Sequence, residues 1–184
     1  MPLKYQVPDD KKVRVIVDSD AACEADDPFA IAHALLCDKF IVKAVFAEHF
    51  NCEGSTKQSF EEIQKVVKAM KKEVPVLMGE IGKLSEKGTG EISEASSFLI
   101  REALREDDKP LYVLCIGAIT NIATAIQACP DIVPRMTVVW IGGQSHEHST
   151  SEVREFNAGN DIEAANLVLG SGVRFWQIPN DVYG

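Results

Sequence analysis

Six short runs rich in Val, Ile, Leu and Phe recur along the 184-residue chain, at 13–17, 41–47, 74–78, 111–116, 137–141 and 173–178. Each is bounded by charge, Gly or Pro and is too short for a buried helix, so each reads as a strand covered on both faces. The stretches between them change period. Asp27-Pro28 supplies a cap and a first-turn proline for a helix reaching about residue 36. Over 56–72, Phe60, Ile63, Val66, Val67 and Met70 fall on one helical face, while Lys65, Lys68, Lys71 and Lys72 form a solvated one. Further helices are predicted over 93–105, 121–128 and 161–169, the last capped by Asp161, and residues 79–90 form a glycine-containing loop. Strands alternating with helices predict an α/β fold, a mostly parallel sheet with helices on both faces and Rossmann-like in outline. No repeat or linker divides the chain, which predicts one domain over 1–184.

Composition narrows the partners. Nineteen Lys and Arg stand against 28 Asp and Glu, a net charge of −9. A protein that neutralises phosphates needs the opposite balance, so nucleic acid and anionic membrane surfaces are poor partners. The 46% hydrophobic content is that of an ordinary globular core. No apolar run approaches the roughly 20 residues of a membrane span, and the first residues carry no signal-peptide core. A soluble, cytoplasmic protein is expected. The five cysteines are odd in number and contain no CxxC pair, unlike a thiolate zinc site or a disulfide framework. Cys23 lies in an acidic loop, but a nucleophile needs a base partner and no pattern supplies one.

A parallel sheet binds its ligands beyond the carboxyl ends of its strands. Asp18-Ser19-Asp20, His49-Phe50-Asn51, Gly79-Glu80, Gly117 to Asn121 and Gly142-Gly143 follow the predicted strands. The first of these belongs to a dense acidic cluster: Asp18, Asp20, Asp26 and Asp27 lie within ten residues, with Glu24 among them. Helix capping accounts for one or two of these carboxylates. It does not account for two more at the end of a buried strand, where like charges repel and lose water unless something positive joins them. A hard cation such as Ca2+ or Mg2+, which takes oxygen ligands, meets that need.

A strand ending in Val-Asp-Ser-Asp is similar to two families. In the haloacid dehalogenase-like phosphatases Asp18 would be the nucleophile and Asp20 the acid/base. In the nucleoside hydrolases an aspartate-rich opening ends in Asp-Asp. The later segments favour the second. Gly117-Ala118-Ile119-Thr120-Asn121-Ile122-Ala123 resembles that family's Gly-x-Leu-Thr-Asn-Ile-Ala, and Val138 to Gly143 resembles its strand ending in Met-Gly-Gly. Glu155-Phe156-Asn157 followed by Asp161-Ile162-Glu163-Ala164-Ala165 resembles its Glu-Phe-Asn and Asp-Pro-Glu-Ala-Ala pair, and Asn51 and Val74-Pro75-Val76 also fit. Five motifs in order over nearly the whole chain resemble an inosine–uridine-type nucleoside hydrolase.

The resemblance implies hydrolysis of the N-glycosidic bond of a ribonucleoside with a bound Ca2+. It makes Asp20, Asp27 and the main-chain carbonyl of Ile116 ligands of the ion, Asp26 the general base, and Asn51, Glu155 and Asn157 the holders of the ribose hydroxyls. It also implies a homo-oligomer. The family pattern Asp-x-Asp-Pro-Gly-x-Asp-Asp is altered, because Asp20 to Asp27 holds two extra residues and no Pro-Gly turn. Ser149 stands where the family commonly offers an Asn. Family chains also run further and supply another Asp ligand and a His near the leaving base. This departure leaves a piece of a longer protein or a shortened relative, including one that binds nucleoside or ribose without turnover. His146 and His148, two residues apart in a polar segment, are expected to face solvent.

Overall fold

The computed structural model describes residues 6–86, 91–145 and 154–183. Its six strands are β1 (Val13–Ser19), β2 (Phe40–Ala47), β3 (Val76–Met78), β4 (Leu111–Cys115), β5 (Met136–Ile141) and β6 (Arg174–Ile178). Seven helices alternate with them: α1 (Asp26–Leu36), α2 (Ser55–Ala69), α3 (Glu94–Leu104), α4 (Thr120–Ala128), α5 (Phe156–Asn160), α6 (Ile162–Gly170) and α7 (Asn180–Tyr183). All neighbouring strands pair in parallel, in the order β3-β2-β1-β4-β5-β6. The expected α/β architecture is what forms.

The strand order explains how the helices divide between the two faces. From β1 the chain winds outward through α1 and α2 to β3, then returns to the other side of β1 and winds the opposite way. A right-handed crossover that reverses its direction changes face. Ile31, Ala34 and Leu35 of α1 and Ile63 and Val67 of α2 therefore pack with Val15, Val17, Val45 and Ala47. Leu99 of α3, Ile122 and Ile126 of α4 and Val168 of α6 pack with Ile16, Phe46, Val113, Val138 and Trp140 on the opposite face. The face carrying α1 and α2 is incompletely roofed over β4 to β6. A groove of about 340 Å³ lies there, lined by Val13, Val15, Phe40, Tyr112, Leu114, Val139 and Trp176.

Element ends differ from the sequence reading where backbone pairing decides them. β1 runs two residues further than expected, because Asp18 pairs with Phe46 and Cys115, and Ser19 with Ala47. β3 starts two residues later; Pro75 has no N–H to give and offers only its carbonyl to the Val45 N–H. The expected role of Asp27 as the cap of α1 is not what forms. Ala25 holds the capping position with no side-chain bond, and Asp27 lies within the first turn, turned back to the sheet. Asp161 does cap α6, its Oδ1 accepting from the Ala164 N–H at 3.0 Å. α5 and α7, each a turn or so long, carry too few residues for a periodic signal. No described helix is long and apolar enough to cross a membrane.

Candidate functional site

The strand order reverses between β1 and β4, which parts the connections at their carboxyl ends and opens a crevice there. A cavity of about 390 Å³ occupies that position. Asp20, Cys23, Glu24, Asp26, Asp27, Ile116, Glu155 and Asn157 line it, with Asn180 and Tyr183 of α7. Six of the seven residues implied by the resemblance are brought together. Asn51 stands apart, exposed in the β2–α2 turn with φ +58° and outside this lining. His146, His148 and Ser149 lie outside the described residues.

The two extra residues after Asp20 are absorbed locally. The Cys23 N–H donates to the Asp20 carbonyl at 2.8 Å, closing a turn that returns Asp26 and Asp27 to the strand they follow. Asp27 is buried and accepts from Ser19 Oγ at 2.5 Å. Asp20 lies against Gly117, where an added Cβ would come within 3.0 Å of Oδ1. A larger residue there would make the Asp20 side chain shift by a few tenths of an ångström.

Among the described residues these carboxylates have no cationic partner. Burial, followed by the charges of Asp27 and Asp18, pushes Asp20 up to about 8. Burial pushes Asp27 up to about 6 although the Ser19 hydroxyl favours its ionised form. Burial above all raises Asp18 to about 7. Behind the cavity wall Asp18 and Glu48 are fully buried, and burial followed by the Asp18 charge raises Glu48. Asn121 braces them: its Nδ2 donates to Asp18 Oδ1 at 2.8 Å, and its main-chain N–H donates to Glu48 Oε2 at 3.0 Å. Asp18 Oδ2 is buried with no hydrogen-bond partner.

Among the described residues no group of three or more His, Cys, Asp or Glu side chains forms a ready-made metal cage. Two carboxylates and the Ile116 carbonyl are a smaller set, but they are hard oxygen donors facing one cavity. The uncompensated carboxylates lining the cavity fit a cation completed by water and ligand oxygens. Cys23 is a poor nucleophile, since burial and the adjacent carboxylates push its thiol up to about 11. Asp18 is sealed behind Asn121 and does not line the cavity, which disfavours the phosphatase reading that needs it as nucleophile.

Asn157 donates its amide hydrogens to the carbonyls of Ile141 at 2.9 Å and Ile116 at 3.3 Å. Its Oδ1 is thereby left as an acceptor. A second network reaches Asn51. Its N–H donates to His49 Nδ1 at 3.2 Å; His49 Nε2 bonds Thr120 Oγ1 at 2.7 Å, and Thr120 donates to Asp161 Oδ2 at 2.8 Å. With Nδ1 accepting, Nε2 carries the proton and His49 is neutral; burial lowers its pKa. Glu48 and Tyr183, and the bracing roles of His49 and Asn121, escaped the sequence reading. Glu48 had a signal, as an acid directly continuing an apolar strand.

An open parallel sheet whose switch point is lined with carboxylates defines an α/β protein with a polar cavity at the carboxyl edge of its strands. The sequence pattern of the inosine-uridine preferring nucleoside hydrolases matches residues 15–183, and the chain belongs to that family. It is 35% identical over 91 residues to the non-specific ribonucleoside hydrolase RihC of Escherichia fergusonii, a match covering 48% of this chain and 30% of that protein. The fold superposes on an inosine-guanosine nucleoside hydrolase with a TM-score of 0.73 at 23% identity, covering 90% of this chain and 59% of that one. For the inosine-uridine preferring hydrolase of Bacillus anthracis the TM-score is 0.71 at 18% identity, covering 92% and 65%. The chain spans about 60% of the length of these solved relatives.

Proposed function

We propose that the protein hydrolyses the N-glycosidic bond of a ribonucleoside to free base and ribose, with Ca2+ held at the carboxyl edge of the sheet. One observation carries the reading: Asp20, Asp26, Asp27, Ile116, Glu155 and Asn157 come from three distant segments into one cavity. Family membership supplies the reaction class.

Asp20, Asp27 and the Ile116 carbonyl hold the cation. When bound, it supplies Lewis acidity toward water and a template for vicinal hydroxyls. Asp26 is exposed to the cavity on the first turn of α1 and takes the proton of the attacking water. Cleavage develops positive charge on the sugar, which surrounding carboxylates stabilise. Asn157 Oδ1 and Glu155 accept from ribose hydroxyls, and Asn51 reaches the sugar from the β2–α2 turn. A single domain and a cytoplasmic location, expected from the sequence, and a homo-oligomer, implied by the family resemblance, belong to the same reading.

The test is a reducing-sugar assay on a nucleoside panel with calcium, using wild type and D26N. Ribose release from at least one nucleoside, lost in D26N, is expected. No release from any nucleoside, or undiminished release by D26N, overturns the assignment.

A further inference from the structure

Glu155 is saturated with donors. Its Oε1 accepts from the Asn157 N–H at 2.8 Å and from Tyr183 Oη at 2.5 Å. Its Oε2 accepts from the Gly143 N–H at 2.6 Å and the Ala158 N–H at 2.8 Å. A carboxylate offers about four lone-pair sites, so no acceptor place remains for a ligand. Three of the donors are main-chain amides that cannot leave without unmaking structure. Asn157 and Ala158 open α5, which Glu155 caps, and Gly143 sits at φ +72° in the turn after β5. The fourth is a side-chain hydroxyl on α7, 28 residues away in sequence. Tyr183 lines the same cavity and is 40% exposed. It is the one donor of the four that a side-chain rotation removes.

We propose that Tyr183 is a specificity-determining residue of this cavity: its hydroxyl occupies, on Glu155 Oε1, the place that a sugar hydroxyl takes, and yields it when the ligand binds. The proposal rests on the reading above that Glu155 receives a ribose hydroxyl. One hydroxyl donor replaces another and no covalent bond changes. A ligand with a free hydroxyl at that point restores a bond of the same kind. A ligand lacking it leaves the Tyr183 hydroxyl in place and gains nothing from Glu155. Tyr183 therefore lowers the affinity for the hydroxylated sugar and narrows its advantage over the analogue that lacks the hydroxyl. Burial and Glu155 itself hold the phenol protonated, so it is a donor throughout the neutral range.

The experiment is calorimetric titration of the calcium-loaded wild type and Y183F with D-ribose, inosine and a monodeoxy series of inosine analogues. Phenylalanine keeps the ring and removes only the competitor. Y183F is expected to bind ribose and inosine about tenfold tighter or more, since a hydrogen bond to a charged group is worth ~1.5–3 kcal/mol. One monodeoxy analogue, the one lacking the exchanging hydroxyl, gains nothing. In wild type with labelled tyrosine, the Tyr183 Cζ resonance, identified by its absence in Y183F, shifts on ribose binding. Equal affinities in both proteins with an unmoved resonance overturn the proposal and leave the sugar site standing. Weaker binding by Y183F also overturns it, because the phenol is then itself a sugar contact. No binding of any probe to either protein overturns the proposal together with the reading beneath it.

Discussion

The two ends of β1 carry buried charge in opposite ways. At its start, Arg14 is 4% exposed and fully answered. Its guanidinium donates to the carbonyls of Lys109 and Glu102 and to Glu102 Oε1, each at 2.9 Å, with the Asp107 carboxylate 3.8 Å away. Lys43 adds a second cation 3.8 Å from Glu102. At the other end, Asp18 and Asp20 are as deeply buried beside Asp27 and Glu48, and among the described residues the cluster finds neutral donors, Asn121 for Asp18 and Ser19 for Asp27. A buried charge whose partner is built into the chain serves the fold. A cluster with no such partner among the described residues is held in a costly state that an external cation relieves.

Glu102→Ala should have the largest effect. It strands the Arg14 guanidinium in the interior and should cost about 3–5 kcal/mol of stability. Urea unfolding should give the same loss with calcium and with chelator, since this end has no need of a cation. A calcium-dependent loss would break the distinction between the two ends.

At the acidic end the order reverses. Calcium at about a hundred times its dissociation constant should stabilise the wild type by ~2.7 kcal/mol. D20A and D27A should lose most of that gain, and neither should be less stable than wild type in chelator, because each deletion relieves repulsion. Thermal melts with calcium and with chelator measure both quantities. Equal calcium-induced shifts in all three proteins would refute the ligand assignments. Because Asp27 is not the cap of α1, D27A should also lack the cation-independent loss of a cap deletion, ~0.5–2 kcal/mol.

Asn121→Ala should cost about 1–3 kcal/mol by leaving the Glu80 N–H and Asp18 Oδ1 without their partner. This sharpens the comparison, since calcium should recover part of the loss, whereas it recovers none in Glu102→Ala. Denaturant midpoints of the two variants with and without calcium separate the outcomes.

The smallest effect concerns His49. Its folded pKa lies below the unfolded value near 6.5, so the unfolded chain takes the proton first. The stability of its neutral state is complete above about pH 6.5 and is lost as pH falls from there through the folded pKa. H49Q cannot titrate. Wild type should lose stability relative to H49Q as pH is lowered from about 7 to 5. A constant difference would show that His49 is not held neutral by Asn51 and Thr120.

Much of this molecule was legible in one dimension because the relevant signals are local. Apolar runs at 41–47 and 137–141, and the helical face of Phe60, Ile63 and Val67, reflect periods that any short window contains. So does the acidic density from Asp18 to Asp27, which marks a need for positive charge wherever the chain goes. Which carboxylates share a space is a different matter, set by pairing across the sheet. Glu48 meets Asp18 because β2 lies beside β1, and Asn121 reaches both because β4 delivers α4 to the opposite side. The cap expected of Asp27 became a bond to Ser19, since a buried hydroxyl at the end of β1 competes with the helix's own first turn. Tyr183 and Glu155 are joined only once β6 has docked beside β5. Local sequence determined the elements and the excess of negative charge; the tertiary structure decided which charges are buried and unanswered, because burial and proximity arise between segments that no sequence window contains together.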